Sequence, residues 1–200
     1  MRAAILVTHL RPEEKLLIGA FESRGVTPDV ILDRDLNFDI NAGAEQLAPN
    51  GIAWANYEVV LERFVSTSRG MYAQAILNAW GIPTINRYTT AALCADKLMT
   101  TLTLAQHNIP QPATRLAFTP ESAIDAIETL GYPAVLKPVT GSWGRLLARV
   151  SDRITAEAII EHRETLGDYQ QHIYYVQEYV NKPGRDIRAF VIGNRTICAI

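Results

Sequence analysis

A cadence repeated four times constrains this chain more than any single motif: an apolar stripe at helical spacing, a Gly or Asn that stops the helix, often a Pro, then a short apolar run. Pro12 opens the first helix, with Glu13 and Glu14 in its first turn. Its stripe of Leu17, Ala20 and Phe21 ends at Gly25, and residues 30–32 follow as a strand. Ala73, Ile76, Leu77 and Trp80 sit at i, i+3, i+4 and i+7, Gly81 stops that helix, and residues 83–86 form a short strand. Asp96 caps a further helix with Leu98, Leu102 and Ala105 on one face, ending near Asn108. Thr119 caps the fourth and Pro120 takes its first position; the stripe Ala123, Ile124, Ile127, Leu130 stops at Gly131, and the strand 134–136 follows directly.

Strands alternating with helices predict an α/β architecture, with parallel pairing in at least the first third. Later the rhythm changes. Residues 174–180, 186–192 and 196–200 are expected as successive strands, the last two joined by a turn at Gly193-Asn194, which is antiparallel behaviour. A boundary over residues 87–95 then separates an α/β domain, 1–90, from an α+β domain, 91–200. The sequence given stops at Ile200 inside an apolar run, and an uncovered edge strand is a liability, so an incomplete chain is expected.

A net charge of -2 supplies no overall field to draw the chain onto nucleic acid or an anionic membrane, so any anion site has to be local. The opening apolar run is interrupted by His9 and Arg11, which fits neither a signal peptide nor a spanning helix, and a cytoplasmic protein is expected. Cys94 and Cys198 lack partner His or Cys spacing; they are expected as buried structural thiols, with no metal site.

The chemistry concentrates around Lys137. It ends a short apolar strand, and Pro138 removes the next ladder donor, so the lysine sits at the strand's mouth. The following residues Thr140, Gly141, Ser142, Trp143, Gly144 and Arg145 combine two glycines with hydroxyls and a cation, a composition suited to cradling phosphates. A plain hairpin loop leading into a strand at 146–150 explains the same residues equally well. It is not a P-loop, because the lysine precedes the glycines and no helix signature follows. In the strand 174–180, alternation puts Val176, Glu178 and Val180 on one face and Tyr175, Gln177 and Tyr179 on the other. Glu178 between valines wants a partner, either a cross-strand cation or an adenine amino group or ribose hydroxyl. Asp186 and Arg188 share a face, and either Asp186 or a ligand phosphate or carboxylate neutralises the arginine. Lys97 stands just inside the helix capped by Asp96, facing an anion or merely solvent. Residues 66–70, with Ser68 and Arg69, close an apolar strand and open a helix, which suits a substrate carboxylate or simple turn chemistry. The segment after the first strand lacks the glycines of a dinucleotide fold.

Taken in order, Asp96-Lys97, residues 135–138, Gly141-Ser142-Trp143-Gly144-Arg145, Gln177-Glu178-Tyr179-Val180 and Gly184-Arg185-Asp186-Ile187-Arg188 resemble the ATP-grasp superfamily. The wording is closest to the branch with ribosomal-protein glutamate ligases and the lysine-biosynthesis ligases that join 2-aminoadipate to a small acidic amino-group carrier protein. The resemblance implies a pre-ATP-grasp domain at 1–90 and an ATP-grasp domain at 91–200, with 113–180 including a lid. It further implies that Lys97 and Lys137 contact ATP phosphates and that residues 141–147, Leu146 and Leu147 included, cover them. Adenine would be held by Gln177, Glu178, Tyr179 and Val180. Arg185, Asp186 and Arg188 would lie near ribose, phosphate or the reacting carboxylate, with Arg188 catalytic, and Ser68 and Arg69 would meet substrate. The implied reaction forms an acyl phosphate from a carboxylate and ATP, which an amine then attacks. ATP and Mg²⁺ are the implied cofactors, the Mg²⁺ ligands being expected beyond Ile200, so that the 200 residues alone are expected to be inactive. The substrate is 2-aminoadipate or glutamate and the assembly a homo-oligomer. A glutamate ligase acting on the carrier, a ribosomal protein or a cofactor, and a non-catalytic nucleotide-binding fragment, are the alternatives.

Overall fold

The computed structural model describes residues 1–141, 144–167 and 172–200, and the chain divides into two compact units, Met1–Thr103 and Leu104–Ile200. The first unit begins with β1 (Ala3–Val7), an unbroken apolar run in which every residue is buried. A strand this uniform belongs in the middle of a parallel sheet, covered on both faces. It sits there: α1 (Pro12–Glu22), β2 (Asp29–Leu32), β3 (Val59–Arg63), α2 (Thr67–Ala79) and β4 (Thr84–Ile85) follow, and the sheet order is β2-β1-β3-β4 with every pair parallel. The strand order reverses direction between β1 and β3, so the carboxyl ends of these two strands mark the sheet's switch point.

Leu6, Ile31, Val60, Leu77 and Ile82 form the core on one side, closed by Trp54 and Tyr57 from the long connection between β2 and β3. Nothing in the periodicity foretold this connection, because it holds only short 3-10 turns. Its order comes from ring packing instead: Phe38 lies 5.5 Å from Trp54 and 5.7 Å from Trp80, and Trp54 lies 5.6 Å from Tyr57. The span 87–95, expected as a boundary, is largely a helix, α3 (Tyr88–Ala95), packed on α2. Arg87 and Tyr88 conceal its start, since neither is a capping residue; the Tyr88 N–H is instead taken by the side-chain oxygen of Asn78, at 2.9 Å. Asp96 caps α4 (Lys97–Gln106) as expected, accepting from Met99 N at 3.0 Å.

In the second unit, β5 (Thr114–Ala117), α5 (Pro120–Leu130), β6 (Ala134–Lys137), β7 (Ala148–Val150), α6 (Arg153–Leu166) and β8 (Tyr174–Glu178) build an antiparallel sheet of order β5-β8-β6-β7. Thr119 and Pro120 start α5 as expected, with Thr119 Oγ1 accepting from Ser122 N at 3.2 Å, and Gly131 leaves it at φ 84°. One face of the sheet meets the helices: Ala117, Ala134, Leu136, Val150, Tyr174 and Val176 pack on Ala123, Ile127, Ala156 and Ile160. The period of two in the strands sends the remaining side chains to the opposite face.

The helix α6 was not expected, yet its start is well marked. Asp152 Oδ1 accepts from Thr155 N at 2.8 Å, and Asp152→Ala is expected to cost about 1 kcal/mol, read as a lower urea midpoint with an unchanged slope. A separate hairpin, β9 (Ala189–Ile192) and β10 (Arg195–Ala199), closes the chain through the expected Gly193-Asn194 turn, with Gly193 at φ 58°. It starts later than the 186–192 expected, although Arg188 and Ile200 extend its ladder by exchanging backbone hydrogen bonds of 2.8 and 3.1 Å. The cysteine expectation fails. Cys94 and Cys198 are both exposed, because α3 buries none of its residues and both faces of the β9–β10 hairpin are open.

Candidate functional site

The face of the second unit's sheet that turns away from α5 and α6 carries a cluster of the candidate residues. Register places Thr114 opposite Gln177 and Lys137 opposite Tyr175, so strands β5, β8 and β6 each deliver a polar side chain to one patch. Lys137 Nζ donates to Gln177 Oε1 at 2.5 Å, and Gln177 Nε2 donates to Thr114 Oγ1 at 3.0 Å and to the Tyr175 hydroxyl at 3.2 Å. Gln177 therefore spends both ends of its amide orienting the lysine and tying the three strands. The lysine is half-buried at the strand's mouth, and Val139 just beyond it is buried. At the neighbouring edge, the Arg149 guanidinium stacks 4.5 Å from the centre of the Tyr179 ring. The faces assigned by alternation hold for Tyr175 and Gln177.

Glu178 makes no cross-strand ion pair with a Lys or Arg among the described residues. Its carboxylate accepts from Ala113 N at 3.2 Å, while its own N–H donates to the Ala113 carbonyl at 2.8 Å, so it closes the end of the β5–β8 ladder. Val180 beside it is exposed.

The segment between β6 and β7 is both a hairpin connection and a glycine-rich loop, so the two readings of it do not exclude each other. Gly141 and Gly144 take φ of 112° and 66°, a region open to glycine, and Leu146 joins them at 59°. Arg145, Leu146 and Leu147 are exposed; Ser142 and Trp143 lie outside the described residues. From beneath, Arg163 of α6 donates to the Leu146 carbonyl at 2.7 Å. Neither Arg163 nor Thr114 had been singled out from sequence, since each needs a partner far along the chain.

Further on, Lys182 Nζ bonds the Asp186 carboxylate and, with Arg188 adding to the effect, holds it below the usual carboxylate range. Asp186 is thus engaged by Lys182 rather than by Arg188. Arg185, Asp186 and Arg188 are all exposed.

In the first unit the carboxyl ends of β1, β2 and β3 are tied together. Asp33 Oδ2 accepts from Thr8 Oγ1 at 3.0 Å and from Arg69 at 3.2 Å, and Thr8 Oγ1 accepts from Val65 N at 3.2 Å. Ser66 caps α2 by accepting from Arg69 N at 3.4 Å, and Ser68 is exposed in its first turn. Gly70 has a steric reason: a Cβ there would stand 2.5 Å from the Glu62 carboxylate, whose pKa burial raises. Lys97 is half-buried at the start of α4, and desolvation lowers its pKa against the opposing pull of Asp96. Among the described residues no group of three or more His, Cys, Asp or Glu is placed to hold a metal ion. No helix among them is long and apolar enough to cross a membrane.

A parallel α/β unit followed by a helix-backed antiparallel sheet with a lysine at a strand mouth is the succession found in ATP-grasp proteins. A crystal structure of a RimK-domain ATP-grasp protein from Sphaerobacter thermophilus matches the whole chain and 72% of its own length, with a TM-score of 0.78 and 33% identity. Residues 3–93 match the LysX preATP-grasp domain and residues 94–200 the RimK-like ATP-grasp domain, and the chain belongs to the RimK-like ATP-grasp family. It is 37% identical over 98% of its length to the glutamate--LysW ligase ArgX of Sulfolobus acidocaldarius, and 43% identical over 70% of its length to the alpha-aminoadipate--LysW ligase LysX of Saccharolobus solfataricus. The chain spans 66% of the first of these relatives and the match covers 50% of the second.

Proposed function

We propose that this chain supplies the nucleotide grip of an ADP-forming ligase that joins the amine of 2-aminoadipate to the C-terminal glutamate of a small acidic carrier protein of the LysW kind. The observation that carries this reading is the Lys137–Gln177 pair on the sheet face turned away from α5 and α6, beside the glycine-rich loop. An anionic phosphate oxygen offers the lysine a charge-assisted bond, so the patch fits the γ- or β-phosphate of ATP. Tyr179, Val180 and the end of β8 are assigned to the adenine, Arg185 and Asp186 to the ribose and phosphates, and Arg188 to the reacting carboxylate. Ser68, Arg69 and Lys97 keep the substrate and phosphate roles that the family resemblance gives them. Mg²⁺, when bound with the nucleotide, neutralises its phosphates.

In this reading the carrier's carboxylate oxygen attacks the γ-phosphoryl group, giving an acyl phosphate and ADP. The substrate amine attacks the acyl carbon, phosphate leaves, and the amide remains. Charge builds on phosphoryl oxygens, where a positioned cation stabilises it most. A second amino acid is favoured by a specific observation: relatives matched along almost the entire chain include glutamate--LysW ligases. The intact protein, incubated with Mg-ATP, the carrier and each amino acid in turn, is expected to release ADP only when all are present, and the carrier to gain the mass of one aminoadipate residue. A gain of one glutamate residue instead selects the second reading. Absence of amino-acid-dependent ADP release with either rules out both.

A further inference from the structure

Among the described residues of the second unit, Arg163 is an anomalous buried charge. It lies in the last turn of α6 with 5% of its surface exposed, and no carboxylate among the described residues forms an ion pair with it. One arm, NH2, donates to the Leu146 carbonyl at 2.7 Å; the other, NH1, is buried without a hydrogen-bond partner. Burial alone works against its charge and lowers its pKa. Buried guanidinium groups are ordinarily paired with carboxylates, and an apolar side chain in the same space is usually the more stable choice. What Arg163 holds is equally out of the ordinary. Leu146 occupies the left-handed region at φ 59°, which L-residues with a Cβ adopt at a cost, and 58% of it is exposed, so its own side chain gives little packing in return.

The two anomalies meet in one hydrogen bond. We infer that Arg163 is a positioning residue: through the Leu146 carbonyl it fixes the second half of the β6–β7 loop, residues 144–147, in the shape that receives ATP phosphates. The inference rests on the nucleotide reading of that loop. A loop held in its binding shape before the ligand arrives loses less freedom on binding, so the clamp acts on affinity for ATP and leaves the amine and carboxylate substrates alone. Arg163 touches none of the reacting groups in this scheme. The cost of keeping a poorly paired guanidinium under the loop is offset by the order it imposes there.

The test is amide hydrogen exchange and steady-state kinetics on the intact protein carrying Arg163→Met. Exchange at residues 144–147 is expected to rise about tenfold or more, with β6 and β8 unchanged, because the opening is local. The KM for ATP is expected to rise about tenfold, while kcat at saturating ATP and the KM values of the other substrates stay within about twofold. Arg163→Lys keeps a buried cation and one donor but loses the planar fork, and is expected to fall between the wild type and Arg163→Met on both readouts. It also serves if Arg163→Met does not fold. Unchanged loop exchange in both variants overturns the inference, as does faster exchange spread evenly over α6 and β8, which would make Arg163 a general cross-link. Faster loop exchange with an unaltered KM for ATP also overturns it. Lys137→Ala separates the two levels: if that variant weakens ATP binding and neither Arg163 variant does, only the inference fails, and if Lys137→Ala binds ATP normally, the nucleotide reading falls and the inference with it.

Discussion

Replacing Lys137 with alanine is expected to lower kcat/KM for ATP-dependent amide formation by about 10²–10³-fold, the usual cost of deleting one positioned donor from a site where transition-state charge develops. The substitution should spare the fold. Lys137 is the last residue of β6 and its side chain points away from the core, whereas Ala134 and Leu136, which do pack on the helices, are untouched. Gln177 would keep its bonds to Thr114 and Tyr175, while β6 stays paired to β8 through its backbone ladder. The thermal midpoint should therefore move by little, and the loss should appear in ADP release and in nucleotide affinity alike. Lys137→Arg keeps the charge but exchanges a compact ammonium for a planar fork, and partial activity is expected from it. Undiminished turnover in Lys137→Ala would remove the lysine from the chemistry altogether.

What could be foreseen of this site followed a physical division. Lys137 was legible because an apolar run ending in a charge, followed by a proline, is a local pattern with a local cause. The faces of β8 were legible for the same reason: alternation needs no partner to be read. The Lys137–Gln177 bond was not, because it spans 40 residues and depends on β8 lying beside β6 in one register. Glu178 shows the limit from the other side. Its carboxylate accepts from the backbone N–H of Ala113, and backbone groups leave no trace in a residue pattern.

The fold divides in the same way. Parallel pairing in the first unit followed from the helix–strand cadence, whereas the central place of β1 is known from the sheet order and its complete burial. Trp54, Phe38 and Tyr57 gave no periodic signal although they close a core, since aromatic packing in an irregular connection has no repeat to detect. Cys94 and Cys198 are exposed because the absence of ligand spacing says nothing about burial, and the elements that carry them bury none of their residues. Glu14 was expected only as an acid in the first turn of α1; its bond to Arg63 was not legible, because it depends on where β3 lies.

Replacing Glu14 with glutamine is expected to destabilise the first unit by about 3 kcal/mol, the low end of what breaking a buried ion pair costs. The carboxylate is completely buried, bonded by Arg11 Nε and NH2 at 2.9 and 2.6 Å and by Arg63 Nε at 3.1 Å, and it accepts from Arg11 N at 3.1 Å. These bonds join the start of α1 to the end of β3, across the switch point of the sheet. The low end applies because the Arg11 and Arg63 side chains are 32% and 39% exposed, so water solvates what the glutamine leaves unpaired. In calorimetry of the intact protein, the transition of the first unit should fall by on the order of 10–20 °C.

The pH dependence follows from the same contacts. The Arg11 hydrogen bonds outweigh burial and hold the Glu14 pKa down at about 2, against 4.5 for the free group. A depressed carboxylate pKa stabilises the folded state fully above the unfolded value and loses that contribution as pH falls through the folded one, so the wild type should weaken between pH 4.5 and about 2. The shift corresponds to about 3 kcal/mol, in step with the mutational cost. Glu14→Gln has no proton to gain there, and its stability should change less over that interval, by the contribution of this one group. Equal slopes in the two proteins would mean that the arginines draw their order from elsewhere and that the ion triad does not hold α1 to β3.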